Sequence, residues 1–281
     1  MSRIAIAQLS GPPDDAASNR IRSLAALHEA FERGADVVVL PELIVPGYSW
    51  DADVLASTAE PLDGDTVTAW TDAARAAGAY VAGGFAERDG PRIYNSAVLV
   101  GPDGLVLHYR KLHLFAGEKA VFAPGDRGLP VARTPLGILG LCVCYDLRFV
   151  ETLRVLALRG AELVCVPTAW VPGFDAERWD SDGFCPQARS ALVQANLDQV
   201  FVACASQAGR IGPFEFLGSS IVADARGHCV AGPLPGDRDV TVLTEIDLGD
   251  ARAAHDRGGD VRPLSDRRTD VYSLSVGGES L

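Results

Sequence analysis

Residues 137–149 read GILGLCVCYDLRF. The stretch is an apolar run that ends at Cys144 and turns polar at once, and a helix-like segment follows. An apolar run of this kind reads as a strand buried on both faces. A strand that passes directly into a helix is the unit from which α/β layers are built. The strand end also raises a question of chemistry, because two cysteines stand two residues apart with no obvious partner. Structural zinc needs about four ligands in paired spacing such as Cys-x-x-Cys, and Cys142 and Cys144 have no matching second pair. Neighbours on one strand face are also poorly placed for a disulfide. Plain burial suits Cys142, Cys165, Cys185, Cys204 and Cys229. Cys144 differs in position. A strand-to-helix turn exposes a side chain at the carboxyl edge of a sheet and sets free backbone N–H groups beside it. Such groups lower a thiol pKa and hold an oxyanion. Cys144 is a candidate nucleophile, with buried packing as the plainer alternative.

The same pattern extends outward. Residues 3–9 alternate as a first strand, "GPPDD" turns the chain, and 15–33 carry Ile21, Leu24, Leu27, His28 and Phe31 at helical spacing up to Gly34. "DVVVLPE" is a further buried strand, and 64–77 a second helix stopped by Gly78. "AYVAGGF", "IYNSAVLV" and "LVLHYRK" are three strands, the last two joined by the turn "GPDG". The second half repeats the theme. "LGILGLCVC" is a strand, 148–159 a helix, "AELVCVPTAW" a strand and 185–198 a helix. "QVFVACAS", "FLGSSIVAD", "HCVAGP" and "VTVLTEID" then read as strands. Strands alternate with helices and then run consecutively in each half, which predicts α/β layers with mixed sheets. With no linker or clear repeat, one domain over 1–281 is expected.

Composition narrows the function. The 281 residues are 48% hydrophobic, enough for a substantial core. A net charge of −12 argues against nucleic acid as a partner. "RIAIAQL" is a strand and not a signal peptide, and no stretch is long and apolar enough to span a bilayer. The six cysteines are then expected as reduced thiols in the cytoplasm.

A thiol nucleophile needs a base, and a Cys–His pair is the commonest arrangement. Of the five histidines only His113 lies in a dense polar cluster, "YRKLHLF". That cluster also offers Lys111 at a strand end, and Glu42 closes another strand just after Pro41. Three strand ends carrying reactive residue types could converge on one sheet edge. Taken singly, Glu42 reads as a turn carboxylate and Lys111 as a solvated charge.

Taken together these segments resemble the nitrilase, or carbon–nitrogen hydrolase, superfamily, in the family's order and over nearly the whole chain. "VVLPELIVPGY" resembles the glutamate motif and implies Glu42 as general base. "YRKLHLF" resembles the lysine motif and implies Lys111. "GLCVCYDLRF" resembles the cysteine motif and implies Cys144 as nucleophile. "GEKAVFAPGD" resembles the segment with a second glutamate, here Glu118. "YNSAVLV", "GAELVCVPTAW", "FLGSSIVADARG" and "RPLSDRRTDVY" are similar to segments of such enzymes. One departure is "RFVE" where the family often has "RFPE"; proline is favourable at a helix start but not required. The resemblance implies a four-layer α-β-β-α sandwich of two mixed sheets, a homodimer or larger homo-oligomer, and a reaction without metal or organic cofactor. In that reaction Glu42 takes the Cys144 proton, the thiolate attacks an amide or carbamoyl carbon, and Lys111 with the Tyr145 backbone N–H holds the oxyanion. Glu118 would position substrate or Lys111, or assist proton transfer. Lys111 should also favour the thiolate.

Tyr145 and Asp146 after the nucleophile point to an aliphatic amide; nitrilases show tryptophan then glutamate there. N-carbamoyl amines and amino acids are the second reading. Arg148 could bind a substrate carboxylate, against a plain salt bridge or interface contact. The loop "VPGFDAERWDSDG" is acidic and aromatic and could instead favour an ammonium group. Phe115 and Trp170 are candidate pocket walls. In the helix after Cys144, Phe149, Leu153, Leu156 and Ala157 form one apolar face. Val150, Val155 and Leu158 lie around the other side, as if covered by sheet and by a partner subunit.

Overall fold

The structure is a computed structural model that describes residues 1–281. In chain order it contains β1 (Ser2–Gln8), α1 (Ala16–Glu32), β2 (Val37–Val39), α2 (Ala52–Thr58), α3 (Asp65–Ala77), β3 (Tyr80–Asp89), β4 (Arg92–Gly101), β5 (Gly104–Arg110) and α4 (Glu118–Val121). Then follow β6 (Val131–Thr134), β7 (Gly137–Leu141), a 3-10 turn (Cys144–Arg148), α5 (Val150–Leu158), β8 (Leu163–Thr168), α6 (Pro186–Asp198) and β9 (Phe201–Ser206). The chain closes with β10 (Ala208–Ile211), β11 (Phe214–Leu217), β12 (Ile221–Ala223), β13 (Cys229–Ala231), β14 (Val240–Ile246), α7 (Gly249–Ala254), β15 (Ser275–Val276) and β16 (Glu279–Ser280).

Two six-stranded sheets form the centre, ordered β14-β1-β2-β3-β4-β5 and β13-β12-β9-β8-β7-β6. Each has three parallel strands in the middle and antiparallel strands at its edges. Both faces of the first sheet are buried, which is why its strands show so little polar alternation. Ile4, Ile6, Val37 and Val39 point inward to Leu141, Val166 and Ala203 of the second sheet. Ala5, Ala7 and Val38 point outward to Leu27 of α1 and Trp70 of α3. α5 and α6 cover the second sheet with Leu153, Leu156, Ala188 and Ala191. The layers are therefore α-β-β-α, the expected four-layer sandwich.

Several local expectations are corrected. "VTVLTEID" does not belong to the second half's sheet. As β14 it pairs antiparallel with β1, Ser2 opposite Ile246, so the end of the chain completes the first sheet. "FLGSSIVAD" is not one strand: it breaks at Gly218 and Ser219, which hold φ of 58° and 56°. A Cβ on Gly218 would lie 2.7 Å from the Gly236 Cα, so the close approach adds to the positive φ in demanding glycine. The helix expected over 148–159 forms as α5, Val150–Leu158, but a separate 3-10 turn, Cys144–Arg148, comes between the strand and this helix. Val155 is buried inside the fold and faces no partner, whereas Val150 is exposed. Cys229, on the edge strand β13, is only partly buried, unlike Cys142, Cys165, Cys185 and Cys204. No helix is long and apolar enough to cross a membrane.

Candidate active site

β2 and β5 run the same way in the first sheet, and Glu42 and Lys111 lie just past their carboxyl ends. Cys144 and Trp170 follow the carboxyl ends of the parallel strands β7 and β8 in the second sheet. The four strand ends converge where the sheets meet. Glu42 is fixed there by its main chain: its N–H donates to the Thr168 carbonyl at 3.2 Å, and its carbonyl accepts from Gln207 Nε2 at 2.8 Å. Gly84 of β3 makes room, since a Cβ at that position would fall 2.7 Å from the Glu42 Cα.

The backbone is strained at each approach to the site. Leu43, Ala116 and Cys144 have φ of 46°, 43° and 47°. These are left-handed conformations that non-glycine residues adopt at a cost and that cluster at functional sites. At Cys144 the kink turns the side chain away from the strand direction. It opens a 3-10 turn whose first N–H groups, Tyr145 among them, have no acceptor within the turn.

Asp146 locks this turn. Its Oδ2 accepts from the Val143 N–H at 2.9 Å and the Tyr109 hydroxyl at 2.7 Å. Its Oδ1 accepts from the His113 N–H at 3.1 Å and lies 2.7 Å from His113 Nδ1. The His113 ring stacks on Phe149 with centroids 3.6 Å apart. His113 is thus tied to Asp146 and braces the turn. The bracing residues Asp146, Tyr109 and His113 were not legible as a unit, because they come from two sheets.

Lys111 is 1% exposed and lies between two fully buried carboxylates. Its Nζ donates to Glu42 Oε1 at 2.6 Å and to Glu118 at 2.9 Å (Oε1) and 2.8 Å (Oε2). Glu118 has both oxygens engaged: the Tyr48 hydroxyl donates to Oε1 at 2.7 Å and the Phe115 N–H to Oε2 at 2.9 Å. Glu42 is different. Oε1 takes Lys111 and also Asn95 Nδ2 at 2.7 Å, while Oε2 has no partner. The Cys144 thiol is close enough to interact with this carboxylate. Tyr48 and Asn95 had no specific signal beyond their places in "VPGYSW" and "YNSAVLV".

Burial dominates the ionisation of the cluster. It pushes Glu42 up against the pull of the Lys111 charge. It would lower Lys111, but the charges of Glu118 and Glu42 outweigh it and raise the lysine. The Cys144 thiol is pushed well up, by burial first and the Glu42 charge second, against a smaller opposing effect of Lys111. Lys111 does pull the thiol toward the thiolate as expected, but burial and the Glu42 charge outweigh it. One cation already serves two carboxylates, and a thiolate would be a third anion beside it.

A narrow cavity leads to Cys144. Phe115, Trp170 and Phe174 line it with Tyr48, Tyr145 and Gln187. Trp170 is buried, while Phe115 is partly exposed, edge-on to Tyr145 at 5.2 Å. Arg148 lies at the same cavity, exposed, its guanidinium 4.8 Å over the Phe174 ring. The plain salt bridge expected of Arg148 is not formed. The acidic loop residues do not line the cavity: Asp180 and Asp182 pair with Arg189 at 2.5 and 2.6 Å. Only Val171 and Phe174 of that loop face the cavity.

A four-layer sandwich with a buried Glu–Lys–Glu cluster and a kinked cysteine at its sheet edges defines a class of thiol-bearing α/β hydrolases. The carbon–nitrogen hydrolase family model matches residues 3–256, and the chain belongs to that family. It is 33% identical to a nitrilase of Pyrococcus abyssi over 97% of this chain and 99% of that protein. It is 35% identical to an (R)-stereoselective amidase of a Pseudomonas species, over 95% and 91% of the two chains. It is also similar to a solved mutant of the amidase from Nesterenkonia sp. AN1, with a TM-score of 0.77, 26% identity and 96% and 98% coverage. That structure shows the result of Michael addition of acrylamide at its active-site cysteine.

Proposed function

We propose that this chain hydrolyses the primary amide of a short or medium aliphatic acid to the carboxylic acid and ammonia, through a thioester on Cys144. The observation that carries the reading is the Glu42 carboxylate, which interacts with the Cys144 thiol and has an unpartnered oxygen, Oε2. In a buried site a lone pair left unsatisfied is costly, and here it is available to take a proton. Glu42 removes the thiol proton as the sulfur attacks the amide carbon, because the resting thiol is neutral. The developing oxyanion is held by Lys111 Nζ and the Tyr145 N–H. The proton on Glu42 leaves with ammonia. Water, deprotonated by Glu42, then attacks the thioester, releasing acid and restoring the thiol. Glu118 holds Lys111, since both its oxygens are already occupied. These residues supply every proton and charge the steps need, so neither a metal nor an organic cofactor takes part.

The aromatic cavity wall supports an apolar acyl group. One observation favours a second reading, an N-carbamoyl amino acid: Arg148 stands at the cavity without an acidic partner, where a carboxylate could pair with it. A single arginine makes a weaker clamp than two donors. A panel of nitriles, primary amides and N-carbamoyl compounds with neutral, cationic and anionic tails, read by released ammonia, tests both. Highest kcat/KM on neutral aliphatic amides is expected. A nitrile converted to acid faster than its matching amide would overturn the amidase reading, and preference for N-carbamoyl amino acids would promote the second.

We place the enzyme in the cytoplasm as one catalytic unit over 1–281, with no nucleic-acid or membrane partner. It self-associates through the apolar face of α5 and α6. Val150, Val193 and Leu197 are 63%, 58% and 53% exposed there, beside an exposed Tyr272. Light scattering of the protein and of Val193→Glu tests this assembly: a monomeric parent chain would disprove it.

A further inference from the structure

Asn95 lies on β4 and is 1% exposed. It does not line the substrate cavity. Its Nδ2 donates to Glu42 Oε1 at 2.7 Å, and its carbonyl accepts the Lys111 N–H at 2.8 Å. One residue therefore touches both groups on either side of the cysteine, through its side chain on one and its main chain on the other. The amide can point only one way, because turning it would set Oδ1 against the carboxylate. In that orientation Oδ1 is buried without a partner. Such an orphan acceptor opposes folding. A group that breaks a packing rule at the edge of a reactive cluster is more readily explained by what it does there than by stability.

Glu42 Oε1 is closed off by two donors, Lys111 and Asn95, while Oε2 has none. From this geometry we infer that Asn95 is a positioning residue that selects which oxygen of Glu42 serves as the base. It occupies Oε1, stops the carboxylate from rotating, and so keeps Oε2 turned to the Cys144 thiol. A neutral donor is needed for this. A second cation beside Lys111 would make the carboxylate a still weaker base, and an acceptor would repel it. The inference rests on the reading of Glu42 as base, and goes beyond it in naming the residue that orients the base.

The test compares Asn95→Leu and Asn95→Asp with the parent enzyme and with Cys144→Ala, using the best amide of the panel. Asn95→Leu keeps the shape, removes the donor and removes the orphan acceptor. Loss of one hydrogen bond to a charged group should lower kcat by roughly 10- to 100-fold. KM should stay near that of the parent enzyme, because Asn95 is outside the cavity. The acidic limb of kcat/KM should move to higher pH, because the charged form of Glu42 loses a donor. Asn95→Asp should move that limb further in the same direction, since two carboxylates then face each other. The thermal midpoint of Asn95→Leu should hold or rise. An acidic limb unmoved in both variants, a loss confined to KM, or failure of both to fold would overturn the inference. Amide turnover that survives in Cys144→Ala would instead overturn the underlying reading of the site, so the two failures are distinguishable.

Discussion

Arg110 and Lys111 are consecutive at the end of β5, and each anchors a buried charged cluster, yet the clusters are built to opposite ends. Around Arg110 every charge is answered. The guanidinium reaches Glu87, Asp89 at 2.8 Å and Asp126 at 3.1 Å, and stacks 3.8 Å over the Tyr94 ring. Glu87 also accepts from Ser96 at 2.5 Å and lies 2.7 Å from His108 Nε2. Burial alone would raise Glu87, but the hydrogen bonds from His108, Arg110 and Ser96 outweigh it and hold its pKa at about 2. Around Lys111 the count is short. One ammonium serves two carboxylates, an oxygen of Glu42 is unpaired, and burial leaves both Glu42 and Cys144 raised. The satisfied cluster stores stability. In the proposed mechanism the unsatisfied one supplies reactivity, because a carboxylate that resists charge will accept a proton and a neutral thiol will give one up only as it attacks.

The contrast breaks most easily at the two cysteines. Cys144→Ala should lower turnover by roughly 10⁴-fold or more, with no acyl adduct by mass spectrometry and an unchanged melt, since removing a nucleophile costs rates of that order. Cys142→Ala, two residues earlier and fully buried, should cost about 1–2 kcal/mol of stability and retain turnover. Reversed behaviour would show that the nucleophile is misplaced. Next in size is Lys111→Met. It leaves Glu42 and Glu118 buried without their cation, and should lose roughly 10²- to 10³-fold in kcat, the scale of one oxyanion donor, together with a lower melting temperature.

The pH dependences of the two clusters should run in different windows. In the proposed mechanism turnover needs Glu42 ionised, and burial raises its pKa from the ordinary carboxylate value. The acidic limb of kcat/KM should therefore fall as pH drops through a value above the ordinary carboxylate range. A limb at or below 4.5 would contradict the raised Glu42. Glu87 acts on stability with the depressed-carboxylate sign. Its contribution is complete above the unfolded value of 4.5 and is lost as pH falls from there to about 2. Glu87→Gln should flatten the stability curve across that interval, read by urea melts at successive pH values. Breaking the same cluster from its cation, Arg110→Met should cost roughly 3 kcal/mol while leaving the acidic limb of turnover in place. The smallest effect is expected at His113. His113→Asn can still donate to Asp146, so kcat should fall by about tenfold at most, the size of one neutral hydrogen bond. A thioester that fails to form in His113→Asn while forming in Lys111→Met would reassign the base.

The α/β layers with mixed sheets, and the strand ends at Glu42, Lys111 and Cys144, could be read from the sequence alone; Glu118 and the four-layer arrangement came only with the family resemblance. The reason is local. Strands buried on both faces must be apolar throughout, as in "DVVVL" and "LVCVP", and reactive residues at their ends interrupt that pattern visibly. Phe115, Trp170, Tyr145 and Arg148 could be named from their spacing to those strand ends. What the tertiary structure decided are the relations between strands distant in the chain. β14 closes the first sheet from the far end of the sequence. Asp146 finds Tyr109 and His113 across the sandwich, and Asn95 on β4 finds Glu42 beyond β2, two strands away in the same sheet. The ionisation of Cys144 was likewise out of reach. Lys111 lowers the thiol pKa, but burial and the Glu42 charge raise it by more. The lysine's charge is already shared by two carboxylates in a site where burial penalises every further anion.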